Sequence, residues 1–270
     1  MTKTTMTVST EGADLYCERR GEGPLLLMIT GALGDAGFFA DMADFLANEY
    51  TVVTYDRRGN SRSTGDLTAP MTVAQQARDA ISVIQAVGKD KALIFGNSGG
   101  AVVGLELAAY NPEVIDFLIA HEAPVGLLLP EAAEWQKLAD TVDAATRKDG
   151  WEAAERVFTE LNNASEEAAT LVALEYAERA ASNWKFFFEQ EYMPFTLYTP
   201  DLDRIRKNKV SMVTAAGVGT GDGAAARAAV AVAEAVGCPV AEVPGHHLGF
   251  TEMPEEFADS IRGLIQSRGV

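Results

Sequence analysis

A serine flanked by glycines is the residue in this chain best placed to do chemistry. The segment Gly96-Asn97-Ser98-Gly99-Gly100 follows a short apolar run and precedes a helical pattern, the context that a Gly-x-Ser-x-Gly nucleophile requires. The tight turn strains the serine backbone, and the flanking glycines remove side chains that would collide there. We therefore predict that Ser98 is a nucleophile whose hydroxyl stands clear of a sheet.

A serine hydroxyl attacks efficiently only when a neighbouring base takes its proton, and histidine is the usual base near neutral pH. The chain has three histidines, His121, His246 and His247. The last two follow the final predicted strand, in a loop that should reach the same sheet edge as Ser98. We expect the base to come from this adjacent pair.

Short apolar runs that alternate with helical patterns predict the elements that position these residues. The pattern favours an α/β fold whose mostly parallel sheet is flanked by helices. An antiparallel edge is predicted at residues 7–10 and 15–19, where Glu11-Gly12 supplies turn chemistry. The buried strands are predicted at residues 25–30, 51–55, 92–95, 115–120, 210–215 and 240–243.

The pattern changes between residues 127 and 200, where helical and aromatic character replaces the strand signals. We predict a helical cap at 127–200, inserted after the sixth strand into a core made of 1–126 and 201–270. Large apolar side chains on such a cap can line a pocket. Trp184, Tyr192 and Met193 are the candidate substrate-binding residues.

The composition excludes several classes of partner. The formal net charge of −17 over 270 residues disfavours nucleic acid and anionic membrane surfaces, and a small, neutral or weakly polar substrate fits better. No apolar run approaches the roughly 18 residues of a membrane span, and no signal segment is visible, so we expect a cytoplasmic protein. Exposed cap helices could pair two copies as a homodimer.

Two further motifs connect the chain with a known family. Thr30-Gly31-Ala32-Leu33-Gly34 resembles the His-Gly-x-x-Gly turn of the α/β-hydrolase superfamily, with threonine in place of histidine. The stretch from Asp56 to Ser63 resembles its Asp-x-Arg-Gly-x-Gly-x-Ser turn, with Ser61 in place of a glycine. This resemblance covers essentially the whole chain and implies the α/β-hydrolase fold.

The family's closing signature is a catalytic histidine followed by Glu at plus five, Pro at plus seven and Phe at plus ten. His247 matches it with Glu252, Pro254 and Phe257, whereas His246 does not. The resemblance therefore implies that His247 is the base. Backbone N–H groups of Ala32 and Gly99 would form the oxyanion hole of this fold.

The acid that orients the histidine has two candidates. The usual family position is the turn after the strand at 210–215, where Thr220 occupies the slot and Asp222 lies two residues beyond. Glu122, in His121-Glu122-Ala123-Pro124, resembles instead the zearalenone lactonase-like branch, in which a glutamate after this strand serves the triad. We predict Glu122, with Asp222 as the alternative, and a structural role for His121, whose side chain should point away from that of Glu122.

The resemblance implies a serine hydrolase that cleaves a small apolar ester or lactone through an acyl-enzyme intermediate, without metal or organic cofactor. Carbon-carbon bond hydrolysis, acyl transfer and perhydrolysis use the same triad and stay open as alternatives. A ligand-binding, receptor-like role with a vestigial triad is a further alternative on this fold. The serine nucleophile argues against epoxide hydrolases and haloalkane dehalogenases, which use an aspartate.

Overall fold

The strands form one sheet in the computed structural model, which describes residues 2–65, 68, 71–161 and 177–268. The strand order is β1-β2-β4-β3-β5-β6-β7-β8. Pairing is antiparallel from β1 to β2 and from β2 to β4, and parallel elsewhere. The predicted fold class is confirmed. The strands are β1 Thr4–Thr10, β2 Ala13–Arg20, β3 Leu25–Ile29, β4 Thr51–Tyr55, β5 Ala92–Asn97, β6 Ile115–His121, β7 Met212–Gly217 and β8 Val240–Val243.

Helices cover both faces of the sheet. One face packs against α1 Ala40–Leu46, α11 Gly249–Glu252 and α12 Pro254–Ser267. The other packs against α2 Val73–Ala86, α3 Gly99–Tyr110, α9 Leu202–Asn208 and α10 Ala224–Val236. Because both faces are covered, every residue of β3 and β4 is buried, which explains their unbroken apolar runs. Short 3₁₀ turns lie at Ala36–Phe39, Pro112–Val114, Gly126–Leu128 and Val218–Thr220.

The described residues between β6 and β7 carry further helices. They are α4 Ala132–Asp149, α5 Trp151–Leu161, α6 Ala177–Ala181, α7 Asn183–Phe186, a π-helix Phe187–Glu191 and α8 Tyr192–Thr196. Residues 162–176 of the predicted cap lie outside the described residues. Across the described ranges, no helix is long and apolar enough to cross a bilayer.

The strands at the site run further than the sequence predicts. β5 continues through Gly96 and Asn97, which pair with Ala120 and His121 of β6. Gly96, which indicates a turn in the sequence, is therefore still paired within the sheet, because the turn begins only at Ser98. This register brings Ser98 and Glu122 out of neighbouring strands at the same level of the sheet.

Candidate active site

Ser98 occupies a strained turn between β5 and α3. Its φ of 55° and ψ of −121° are unusual for a residue with a side chain, at a cost of about 1–3 kcal/mol. Glycines make the turn fit: a Cβ on Gly100 would lie 1.9 Å from the Ile29 carbonyl oxygen, and one on Gly96 2.4 Å from the Gly100 carbonyl oxygen. The Ser98 N–H donates to the His121 carbonyl, 2.9 Å away, which ties the turn to β6.

The loop after β3 passes directly over this serine. A Cβ on Gly31 would lie 2.5 Å from the Ser98 Cβ, so only glycine allows this approach. Arg57 donates to the Gly31 carbonyl oxygen from Nη2 at 2.7 Å and Nε at 3.3 Å. That carbonyl and the Ala32 N–H belong to one planar trans peptide and point in opposite directions. Arg57 and the Gly34 N–H, which donates to the same carbonyl oxygen at 3.3 Å, therefore fix the direction of the Ala32 N–H.

The two predicted oxyanion-hole donors border one cavity. Ala32 and Gly99 both line the space in front of Ser98. In the part of the chain that the structure describes, neither backbone N–H has a hydrogen-bond acceptor. Such unpaired donors can stabilise negative charge that develops on a substrate oxygen.

Glu122 binds the imidazole of His247. Its Oε2 lies 2.6 Å from His247 Nδ1, and its Oε1 accepts from the Gly217 N–H at 2.9 Å and from Thr220 Oγ1 at 2.6 Å. Burial by itself raises the pKa of Glu122, but the hydrogen bond and charge of His247 outweigh it and lower that pKa to about 2. The carboxylate is thus ionised at neutral pH and holds the ring by Nδ1, in the cavity that His247 lines together with Ser98.

The alternative residues are placed elsewhere. Asp222 is exposed, its backbone carbonyl accepts from Arg227, and within the described residues its carboxylate makes no hydrogen bond to His247. His246 Nδ1 pairs with Glu252 Oε2 at 3.1 Å, near the surface. Thr220, in the slot where the family usually carries the acid, instead donates to Glu122. The structure therefore brings Glu122, not Asp222, to the histidine.

His121 differs from the expected orientation. Its Nε2 lies 4.0 Å from Glu122 Oε1, because the strand ends at His121 and Glu122 takes a left-handed φ of 49°, which breaks the alternation of side chains. The ring stacks on His247 with centroids 6.2 Å apart, and its Nδ1 lies 2.7 Å from Asn97 Oδ1. Burial lowers the pKa of His121 to about 4, so this ring is neutral at pH 7.

Ser98 and His247 line two cavities. The first, which we name the aromatic chamber, has a volume of about 130 Å³ and the second, the polar chamber, about 480 Å³. The aromatic chamber is also lined by Phe38, Phe39, Trp184, Phe187, Phe195 and Phe250. The polar chamber is also lined by Trp135, Leu138, Thr220, His246 and Glu252.

Two of the three candidate substrate-binding residues line a chamber, and the third packs against the core. Trp184 lines the aromatic chamber, and Tyr192 lines both chambers. Met193 lines neither chamber and packs against the hydrophobic core instead, so neither chamber brings it to a substrate. Successive residues of a helix point about 100° apart, and the turn that directs Tyr192 towards the cavity directs Met193 away from it.

A buried ion pair beside the site was not predicted. Arg57 and Glu191 both have fully buried side chains. Arg57 makes two hydrogen bonds to the Glu191 carboxylate, from Nη1 and Nη2, and Asn60 Nδ2 donates to the same carboxylate at 3.2 Å. One signal could have pointed to it: Glu191 is an acid in the aromatic segment 186–195. The pair joins the loop over Ser98 to the π-helix.

The fold, the strained turn at Ser98 and the His247–Glu122 pair are together typical of an α/β hydrolase. Comparison with known proteins supports this class of enzyme. The alpha/beta hydrolase family model matches residues 26–260, and the chain belongs to this family. An uncharacterized hydrolase of Bacillus subtilis, YraK, is 31% identical over 98% of this chain and 97% of its own.

Solved structures agree in fold at low identity. A thermophilic esterase from Thermogutta terrifontis matches with a TM-score of 0.77 and 17% identity, covering 97% of this chain and 98% of its own. An enol-lactonase from Burkholderia xenovorans matches with a TM-score of 0.76 and 18% identity, covering 97% and 100%. The chain is thus a hydrolase of the alpha/beta family.

Proposed function

We propose that this hydrolase cleaves a carboxylic ester or lactone through a covalent acyl-enzyme on Ser98, with His247 as base and Glu122 as the orienting acid. The observation that carries the proposal is the Glu122–His247 pair, with 2.6 Å between oxygen and nitrogen, in a cavity that it shares with the strained Ser98. The proposed core at 1–126 and 201–270 supplies all three residues, and the proposed cap at 127–200 contributes chamber walls.

The reaction runs in two halves. His247 takes the Ser98 hydroxyl proton as Oγ attacks the carbonyl carbon, and the oxyanion is stabilised by the N–H groups of Ala32 and Gly99. The imidazolium then gives its proton to the departing alkoxide. Water, activated by His247, next hydrolyses the acyl-enzyme and frees Ser98. The buried, ionised Glu122 stabilises the imidazolium in both halves.

Turnover of p-nitrophenyl acetate tests the roles of Ser98 and His247. We expect Ser98→Ala and His247→Ala each to lower kcat by about 10³-fold or more, and His246→Ala, the matched neighbour, to keep kcat within a few-fold of wild type. A phosphonate ester should add one phosphonyl group, located by mass spectrometry on Ser98. Near wild-type turnover in Ser98→Ala would show the nucleophile to be wrong.

The acid is tested by a second pair of variants. We expect Glu122→Gln to lose most activity, because an amide can present its N–H to Nδ1 and hold the wrong tautomer. Asp222→Asn should retain activity, since its side chain is exposed and, among the described residues, makes no hydrogen bond to His247. The reverse outcome would make Asp222 the acid.

Lactones are the second substrate class that we propose. The similarity of residues 121–124 to the zearalenone lactonase-like branch supports it, and the enol-lactonase neighbour shares the fold. Carbon-carbon hydrolysis, acyl transfer and perhydrolysis need the same attack by Ser98. A receptor-like binding protein would show only stoichiometric product release in the p-nitrophenyl acetate assay.

A further inference from the structure

The size of the aromatic chamber limits what it can hold. Its volume is about 130 Å³, and an apolar cavity of about 150 Å³ is large enough for one benzene molecule. A group of about six carbon atoms therefore fills it. Away from Ser98 and the oxyanion donors, the rings of Phe187, Phe195 and Phe250 on its wall offer no countercharge, so a charged group there would have a high desolvation cost.

Charge selects against anionic substrates in both chambers. Among the described residues that line them there is no Arg or Lys. Glu122 and Glu252 border the polar chamber, in a chain whose formal net charge is −17. A free carboxylate on the substrate would meet negative groups and no positive partner, so an uncharged substrate fits.

The chemistry decides which part of an ester enters each chamber. The oxyanion donors Ala32 and Gly99 line only the aromatic chamber, whereas Glu122, Thr220 and His246 line only the polar one. As the bond from Ser98 Oγ to the carbonyl carbon forms, the bond to the alkoxy oxygen breaks, and this oxygen takes the proton carried by His247. His247 borders both chambers. Because the oxyanion donors hold the carbonyl group that stays on Ser98 and line only the aromatic chamber, the acyl group is assigned to that chamber and the departing alcohol to the polar one.

We propose that the two chambers divide an uncharged ester: the aromatic chamber takes an acyl group of up to about six carbons, and the polar chamber takes a larger alcohol group that has both apolar and polar parts. This inference rests on the proposed serine hydrolysis. The substrates it names are short-chain or aromatic acyl esters of bulky, uncharged alcohols.

A series of p-nitrophenyl esters from acetate to decanoate tests the acyl limit with a constant leaving group. We expect kcat/KM to rise by up to about fourfold for each added methylene, the equivalent of about 0.8 kcal/mol per buried CH₂. The rise should stop near hexanoate, and octanoate and decanoate should fall at least tenfold below it. p-Nitrophenyl hemisuccinate should react at least tenfold more slowly than the uncharged valerate. A profile that peaks at decanoate, or equal rates for hemisuccinate and valerate, overturns the proposal.

Two cap variants form a matched pair. Trp184, on α7, borders the aromatic chamber, and Leu138, on α4, borders the polar one; both side chains are partly buried. We expect Trp184→Ala to move the acyl optimum to octanoate or longer, and Leu138→Ala to leave it at hexanoate. If Leu138→Ala moves the acyl optimum instead, the assignment of the chambers is reversed and the proposal is wrong.

Two controls separate the possible failures. Thermal unfolding shows whether Trp184→Ala is folded. If it is not, Trp184→Phe takes its place; this variant removes less volume and should move the acyl optimum by one or two carbons. Ser98→Ala gives the background rate for every ester. Hydrolysis that does not exceed this background refutes the serine mechanism and the division with it. Hydrolysis that depends on Ser98 but whose kcat/KM does not change with acyl length refutes only the proposed division of the ester between the two chambers.

Discussion

The Arg57–Glu191 pair allows a quantitative test of how the loop over Ser98 is held. Both side chains are fully buried, so replacing Glu191 by leucine leaves an unpaired guanidinium in the interior. Removal of one partner of a buried pair typically costs about 3–5 kcal/mol. With a shift of about 2–4 °C per kcal/mol for a chain near this size, Tm should fall by about 6–20 °C.

Glu189→Leu is the matched control, because Glu189 lies on the same π-helix and is exposed. It should change the free energy of unfolding by less than about 0.5 kcal/mol. The assay is urea and thermal unfolding of both purified variants. If Glu191→Leu is no less stable than Glu189→Leu, the ion pair does not stabilise the fold.

The double variant Arg57→Met, Glu191→Leu separates stability from catalysis. Removing both charges should recover most of the lost stability. The Gly31 carbonyl would lose both Arg57 donors and keep only the longer bond from the Gly34 N–H, at 3.3 Å, so the Ala32 N–H is held less firmly towards the cavity. We expect kcat for p-nitrophenyl acetate to stay about 10²-fold low, the scale of losing one oxyanion donor. A stable double variant with wild-type kcat would show that Arg57 does not orient this peptide.

Two further predictions concern the backbone turn and pH. Gly100→Ala should leave little folded protein, since its Cβ would lie 1.9 Å from the Ile29 carbonyl oxygen. Gly263→Ala, in open space on α12, is the control and should stabilise the fold by about 0.5–1 kcal/mol. Equal stabilities of the two variants in urea unfolding would contradict this prediction. The folded-state pKa of His121 lies at about 4, below the unfolded value of about 6.5, so the unfolded chain binds a proton that the folded one excludes. The free energy of unfolding should therefore fall by up to about 3 kcal/mol from pH 6.5 to 4. In His121→Gln it should fall less steeply. If the free energies of unfolding of wild type and variant change in parallel with pH, the prediction is wrong.

Much of the fold could be predicted because its signals are local. The buried parallel strands appear as apolar runs, and the strands predicted at 51–55 and 240–243 have these bounds in the structure. Strand ends were less accurate, since β5 ends at Asn97 and β7 at Gly217. A glycine looks the same in the sequence whether it pairs in a ladder or opens a turn.

The serine turn and the histidine register were readable from the sequence alone, because both depend on residues close together in the chain. A tight strand-to-helix turn demands glycine at fixed spacing from Ser98, and the spacing after His247 repeats a known signature. The choice between Glu122 and Asp222 is different. It depends on the pairing of β5, β6 and β7, which places Glu122 rather than Asp222 against the imidazole.

The tertiary structure alone decided the contacts between distant segments. Arg57 and Glu191 are 134 positions apart, and no local pattern links the charge on one with the charge on the other. Thr220 donates to Glu122 only because β7 lies beside β6, and the two chambers exist only where the helices between β6 and β7 meet the loops at the end of the sheet. The sequence by itself determined the class of fold and the glycine-flanked turn at Ser98, since their causes are local; the contact of Glu122 with His247, the buried pair and the chambers are decided by packing across the sheet.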